Sequence, residues 1–159
     1  MLSFVILNQS MIWMAGFVLV TIAAFVWGAG PERACAGTLV ATFVLHRLYH
    51  LVFGPGAYFS TIDIGHGLLD VFETVLFLAI ALRANRIYPL WLAGFELISL
   101  ASHAVRELSA NMLPLVYSIM YIAPSYFLII VLAIGIAAHA RRVRRYGPYR
   151  SWRSSGKTA

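Results

Sequence analysis

Charge is scarce in this chain. Only 11% of its 159 residues are Asp, Glu, Lys or Arg, against about 25% in an ordinary soluble domain. Hydrophobic residues make up 61%, and the mean hydropathy is +0.81. That balance excludes a water-soluble globule and marks an integral membrane protein, with one compact helical bundle as the natural domain count. Cysteine is nearly absent. Cys35 stands alone, so no intrachain disulfide and no thiolate metal cluster can form. Glu32-Arg33-Ala34 ahead of it does not make a lipoprotein cleavage motif. A positive segment at the N-terminus is missing too, and the first apolar run outlasts that of a secretory signal, so it reads as a retained helix. There is no useful internal repeat, and no loop is long enough to hold another domain.

The basic excess is local. Formal net charge is +6, but seven of the twelve basic residues fall within the last nineteen positions. The rest of the chain is close to neutral, so the charge belongs to a tail and not to a nucleic-acid-binding face. Nucleic acid is excluded as a partner on that ground.

What is present is a series of apolar runs, each near the roughly 20 residues that cross a bilayer core. Spans are expected at about 4–27, 34–53, 58–82, 88–108 and 113–140, with Gly28-Ala29-Gly30-Pro31, Gly54-Pro55-Gly56, Arg83-Ala84-Asn85-Arg86 and Ser109-Ala110-Asn111 as their connections. Pro124 is expected to kink the fifth. Arg141 to Arg153 place the C-terminus in the cytoplasm by the positive-inside rule, and five spans then place the N-terminus outside. The loops with Arg33 and with Arg83 and Arg86 fall inside, while the two expected outside carry no basic residue.

The expected fold class is thus all-α: a polytopic bundle of about five transmembrane helices. Residues 1–140 form the membrane domain, and 141–159 form a basic cytoplasmic tail lying on anionic lipids of the inner leaflet. The inner (cytoplasmic) membrane of a cell is the expected location.

Five of the six acidic residues and four of the five histidines lie inside these spans. An ionisable group in hydrocarbon costs roughly 2.5–3.5 kcal/mol on insertion scales, so it persists where it is paired or used. Asp63, His66, Asp70 and Glu73 are spaced three, four and three residues apart, which puts them on one helical face. Glu96, Ser99, His103 and either Arg106 or Glu107 form a second stripe. His46 and His50 share a face on the second span, beside Arg47. Counted from the outer ends, His46, Asp63, His66 and His103 fall in one layer, roughly 8–12 Å below the boundary.

Three readings compete. Imidazole and carboxylate together suit zinc, iron, manganese or copper, with His46, His66, His103, Asp63 and Asp70 as ligands. Glu73, Glu96, His50, Arg47 and Arg106 would then be outer partners or a proton relay. Haem on two of the histidines ranks below a simple ion, because carboxylates make an odd wall for an apolar ring. Gly65 and Gly67 beside His66 would let either a macrocycle or another helix approach closely.

The second reading is proton or ion transport along the Asp, Glu and His chain. The third is an ion-pair and hydrogen-bond network that fixes helix packing, with Arg47 and Arg106 neutralising acids such as Asp63 and Glu107. A separate alternative is a non-catalytic accessory subunit whose polar face docks on a larger membrane complex or a homo-oligomer partner. His50 and Glu107 are expected to be solvated near the outer interface. His139 is expected at the cytoplasmic interface, and Trp13, Trp27 and Trp91 are expected in packing or interface roles.

Overall fold

The computed structural model describes residues 9–54, 64–108 and 114–153. These fold into five helices: α1 (Gln9–Trp27), α2 (Gly30–Phe53), α3 (Ile64–Arg83), α4 (Tyr88–Leu108) and α5 (Pro114–Tyr146). No strand occurs among the described residues. Four of the helices, α1, α2, α3 and α5, are long and apolar enough to cross a membrane. The fourth, α4, is 21 residues long, which spans about 30 Å. Glu96, Ser99, Ser102 and His103 interrupt its apolar run. That polarity is tolerable because α4 packs against both α3 and α5 more extensively than any other helix pair in the bundle.

The packing closes on itself. Each helix meets the next in sequence, α5 returns to α1, and α2 touches α5 across the middle. Outward positions are apolar and open, among them Leu19, Leu51, Leu82 and Ile134, as a lipid-facing surface requires. Inward, the ring is divided along its axis. Phe17, Ala24, Cys35, Leu39, Phe77, Leu92, Leu132 and Ile136 form an apolar core. His46, His50, His66, His103, Asp70, Glu73 and Glu96 of α2, α3 and α4 lie toward the other end.

Local sequence explains how the elements begin and end. Pro31 sits in the first turn of α2, where its missing N–H costs nothing. The Glu32 carboxylate accepts a hydrogen bond from the Ala29 N–H at 3.0 Å, satisfying one of the unpaired donors of the helix start. Gly54 ends the helix at φ 77°, a backbone conformation that glycine adopts without strain. Pro124 lies within α5, which continues as helix through it. The Ser125 hydroxyl there donates to the Ile122 carbonyl at 2.7 Å.

At the end away from the histidines, α5 continues as helix to Tyr146, so Arg141 to Arg145 are helical. The segment after it folds back instead of trailing away. The Asn85 N–H donates to the Ser151 carbonyl at 3.0 Å, and the Arg153 N–H donates to the Arg83 carbonyl at 2.8 Å. Trp152 packs over Gly30, where any β-carbon would overlap its indole. Beneath lies a buried polar knot. The Arg86 Nε donates to Glu32 at 3.3 Å, with the two side chains 6% and 0% exposed. Arg86 Nη2 and the Tyr149 hydroxyl stand 3.2 and 2.9 Å from His139 Nδ1. His139 is therefore buried inside the protein at this end. Together these contacts gather the α1–α2 turn, the α3–α4 turn and the tail at one end of the bundle.

Candidate metal centre

The site begins with the spacing of two histidines. His46 and His50 are four residues apart on α2 and so project from one face, one turn apart. The first turn of α3 supplies His66, and the residue before it decides how close α3 can come. Gly65 has no side chain, and a β-carbon there would overlap the ring of Tyr49 on α2. The two helices therefore pack tightly at this level, and His66 is pressed against the α2 pair. Ring centroids are 4.6 Å apart for His46 and His50, 4.7 Å for His46 and His66, and 5.0 Å for His50 and His66.

One ligand nitrogen from each of His46, His50 and His66 lies within 4.8 Å of the others. The closest pair, His46 Nε2 and His66 Nε2, is 2.8 Å apart. His50 Nδ1 stands 3.2 Å from the Gly54 carbonyl oxygen. A carbonyl only accepts, so this contact favours the tautomer with the proton on Nδ1, which leaves the Nε2 lone pair for a metal. A carbonyl that fixes the tautomer in this way is a regular partner of metal-binding histidines. His66 is buried, and the other two are half-buried.

Next to the trio lies a cavity of about 220 Å³. His46 and His66 form part of its wall, and Asp70, Glu73 and Glu96 line it together with Thr42, Ser99 and Ser125. Asp70 and Glu73 follow His66 at helical spacing, so α3 turns all three inward. Ser99 and His103, four apart on α4, both reach Asp70. The Ser99 hydroxyl donates to Asp70 Oδ2 at 2.9 Å. His103 Nε2 is 3.2 Å from the same oxygen, close enough for an ion pair but not aligned as a hydrogen bond. Glu73 is 6% exposed, and its Oε1 has no hydrogen-bond partner among the described residues. Glu96, 4% exposed, lines the same cavity as Asp70 and Glu73.

The residues expected from sequence fall into groups. His46 and His66 meet as neighbours, whereas His103 and Asp70 meet each other beside the cavity. Glu73 and Glu96 line that cavity. Arg47 is exposed at the rim, with its guanidinium 5.3 Å from the centre of the Phe43 ring. Asp63 and the side chains of Arg106 and Glu107 lie outside the described residues. His50, expected to be solvated, is the third member of the trio, and its four-residue spacing from His46 was the signal for it. Trp13 also lines the cavity and stacks on Phe17 at 5.3 Å, while Trp27 and Trp91 are each 61% exposed. Of the two partners allowed at Gly65, a second helix is the one present. The chain matches no family model, no curated protein and no solved structure.

Proposed function

We propose that this protein binds a divalent transition metal ion within the membrane through His46, His50 and His66. The observation that supports the reading is the convergence of three imidazole nitrogens from two helices within 4.8 Å. Imidazole donors suit zinc, copper, iron or nickel, whereas magnesium and calcium require oxygen ligands. Two zinc–nitrogen bonds of about 2.0–2.1 Å at a tetrahedral angle set their nitrogens roughly 3.4 Å apart. The His46–His66 pair would open by about half an ångström to reach that spacing. The same 2.8 Å separation leaves no room for a macrocycle between those two rings, which disfavours haem.

Three protein ligands leave a coordination position for an exchangeable group, as at catalytic zinc sites. When bound, such an ion supplies Lewis acidity. The side chains around it have separate tasks. Asp70 is oriented by Ser99 and His103, and Glu73 and Glu96 offer carboxylates that draw cations into the cavity or take up protons there. The positive-inside rule assigns the arginine end to the cytoplasm, so the trio would open toward the extracytoplasmic face.

The test is elemental analysis of protein purified without chelators and then reloaded with each candidate ion. About one ion per chain is expected, lost in the H46A/H66A variant. Failure to retain any stoichiometric metal after reloading would remove the proposal. The Glu73 oxygen without a partner supports a second reading, proton-coupled transport, because an open buried carboxylate suits a transient proton carrier. Proton flux in liposomes that disappears in Asp70→Asn, with no metal bound, would favour it.

A further inference from the structure

The arginine end carries a second site of different chemistry. A groove of about 690 Å³ runs between the end of α3, the α3–α4 turn, α5 and the folded-back tail. Its two halves contrast. One is apolar, formed by Leu78, Leu82, Leu90 and Ile134. Three of these are also open to the surroundings of the bundle, with Leu82 73%, Leu90 56% and Ile134 61% exposed. The other part of its lining is cationic: the exposed Arg142 and Arg153 and the half-buried Arg86.

The arginines are not equivalent. Arg86 is taken up by Glu32, the only acidic residue described at this end. Arg142 and Arg153 are exposed and add positive charge that no carboxylate among the described residues there offsets. Their placement is fixed by the fold. Tyr149 is held between two guanidinium groups, 4.3 Å from Arg86 and 5.1 Å from Arg142. Arg153 is tied down by its backbone bond to Arg83.

We propose that this groove binds an anionic phospholipid, its phosphate on Arg142 and Arg153 and one acyl chain along Leu78, Leu82, Leu90 and Ile134. Charge complementarity selects the headgroup, since guanidinium groups match phosphate oxygens in a two-pronged geometry. Continuity with the lipid-facing surface selects a lipid over a soluble anion, which would leave the apolar half unused. A zwitterionic lipid brings the same phosphate together with its own ammonium, which leaves the net positive charge of the arginine pair uncompensated. The groove sits at the level where the spans end, which is where headgroups lie.

The experiment uses the full-length protein in neutral detergent, titrated with dioleoylphosphatidylglycerol, dioleoylphosphatidylcholine or inorganic phosphate while thermal stability is followed. Phosphatidylglycerol is expected to raise the melting temperature saturably, with phosphatidylcholine and phosphate without effect. R142A/R153A should weaken that binding about 25-fold, about fivefold for each arginine near an anionic headgroup. R145A/R150A removes the same charge outside the groove and should leave binding unchanged. Equal stabilisation by phosphatidylcholine, stabilisation by phosphate alone, or equal weakening in R145A/R150A would each overturn the proposal. Should R142A/R153A fail to fold, native mass spectrometry of the unaltered protein decides the matter. One phosphatidylglycerol retained in preference to phosphatidylcholine at equal mole fraction supports the site, and equal retention overturns it.

Discussion

At the scale of single residues, the histidine trio and Glu73 make opposite demands on stability. Metal ligands must be unprotonated, so binding at His46, His50 and His66 competes with protons and weakens as pH falls. We predict that acidification releases the ion and that His50→Ala lowers affinity by at least about tenfold, a loss of the size seen when even an outer-shell partner is removed. Competition titration against a chelating dye would measure both, and an unchanged affinity in His50→Ala would confine the site to two ligands. Glu73 is a different case, because a buried acceptor without a partner carries a desolvation cost of about 1–3 kcal/mol. Thr42, which shares the cavity wall with Glu73, donates its hydroxyl to the Thr38 carbonyl at 3.1 Å, so it keeps that partner without the carboxylate. Glu73→Met is therefore predicted to match or exceed the parent protein in thermal stability while losing cation or proton handling. A large loss of stability would instead make Glu73 a packing residue.

Among the elements, α3 was the most legible in sequence and the α1–α2 turn the least. Asp63, His66, Asp70 and Glu73 announced an inward face because hydrocarbon leaves such a stripe no other place, and Asp70 and Glu73 do line the cavity. Heights counted along separate helices were a weaker guide. They grouped His103 with His46 and His66, but two residues at one depth can still face different neighbours, and the rotation of α4 turns His103 to Asp70. Glu32 gave no such signal, since a carboxylate in the first turn of a helix ordinarily serves as a cap alone. Here it caps α2 and also binds Arg86, which lies 54 positions away in sequence. Breaking a buried pair by removing one partner costs about 3–5 kcal/mol. Glu32→Ala is predicted to lose stability on that scale in thermal or denaturant unfolding, and a change within 1 kcal/mol would mean the pair is solvated in practice.

For the molecule as a whole, hydropathy was enough to foresee an all-helical bundle. It was not enough to foresee the tail. Residues 141–159 were expected to lie on anionic lipid because of their basic charge, and composition alone says nothing of Asn85, Arg83 or Gly30, which receive residues 147–153. The docked segment contributes two backbone hydrogen bonds and the packing of Trp152, together worth about 2–4 kcal/mol. Ending the chain after Tyr146 is therefore predicted to lower the melting temperature by several degrees. A truncated chain as stable as the full one would show the clasp to be incidental. Docking also gives the bundle an order of assembly. A ribosome delivers residues 147–153 only after all five helices have been made, so Trp152 reaches Gly30 and Tyr149 reaches His139 as closing events. Until then Glu32 and Arg86 lack the cover that the finished protein gives them. An interrupted translation product would carry the Glu32–Arg86 pair without that cover.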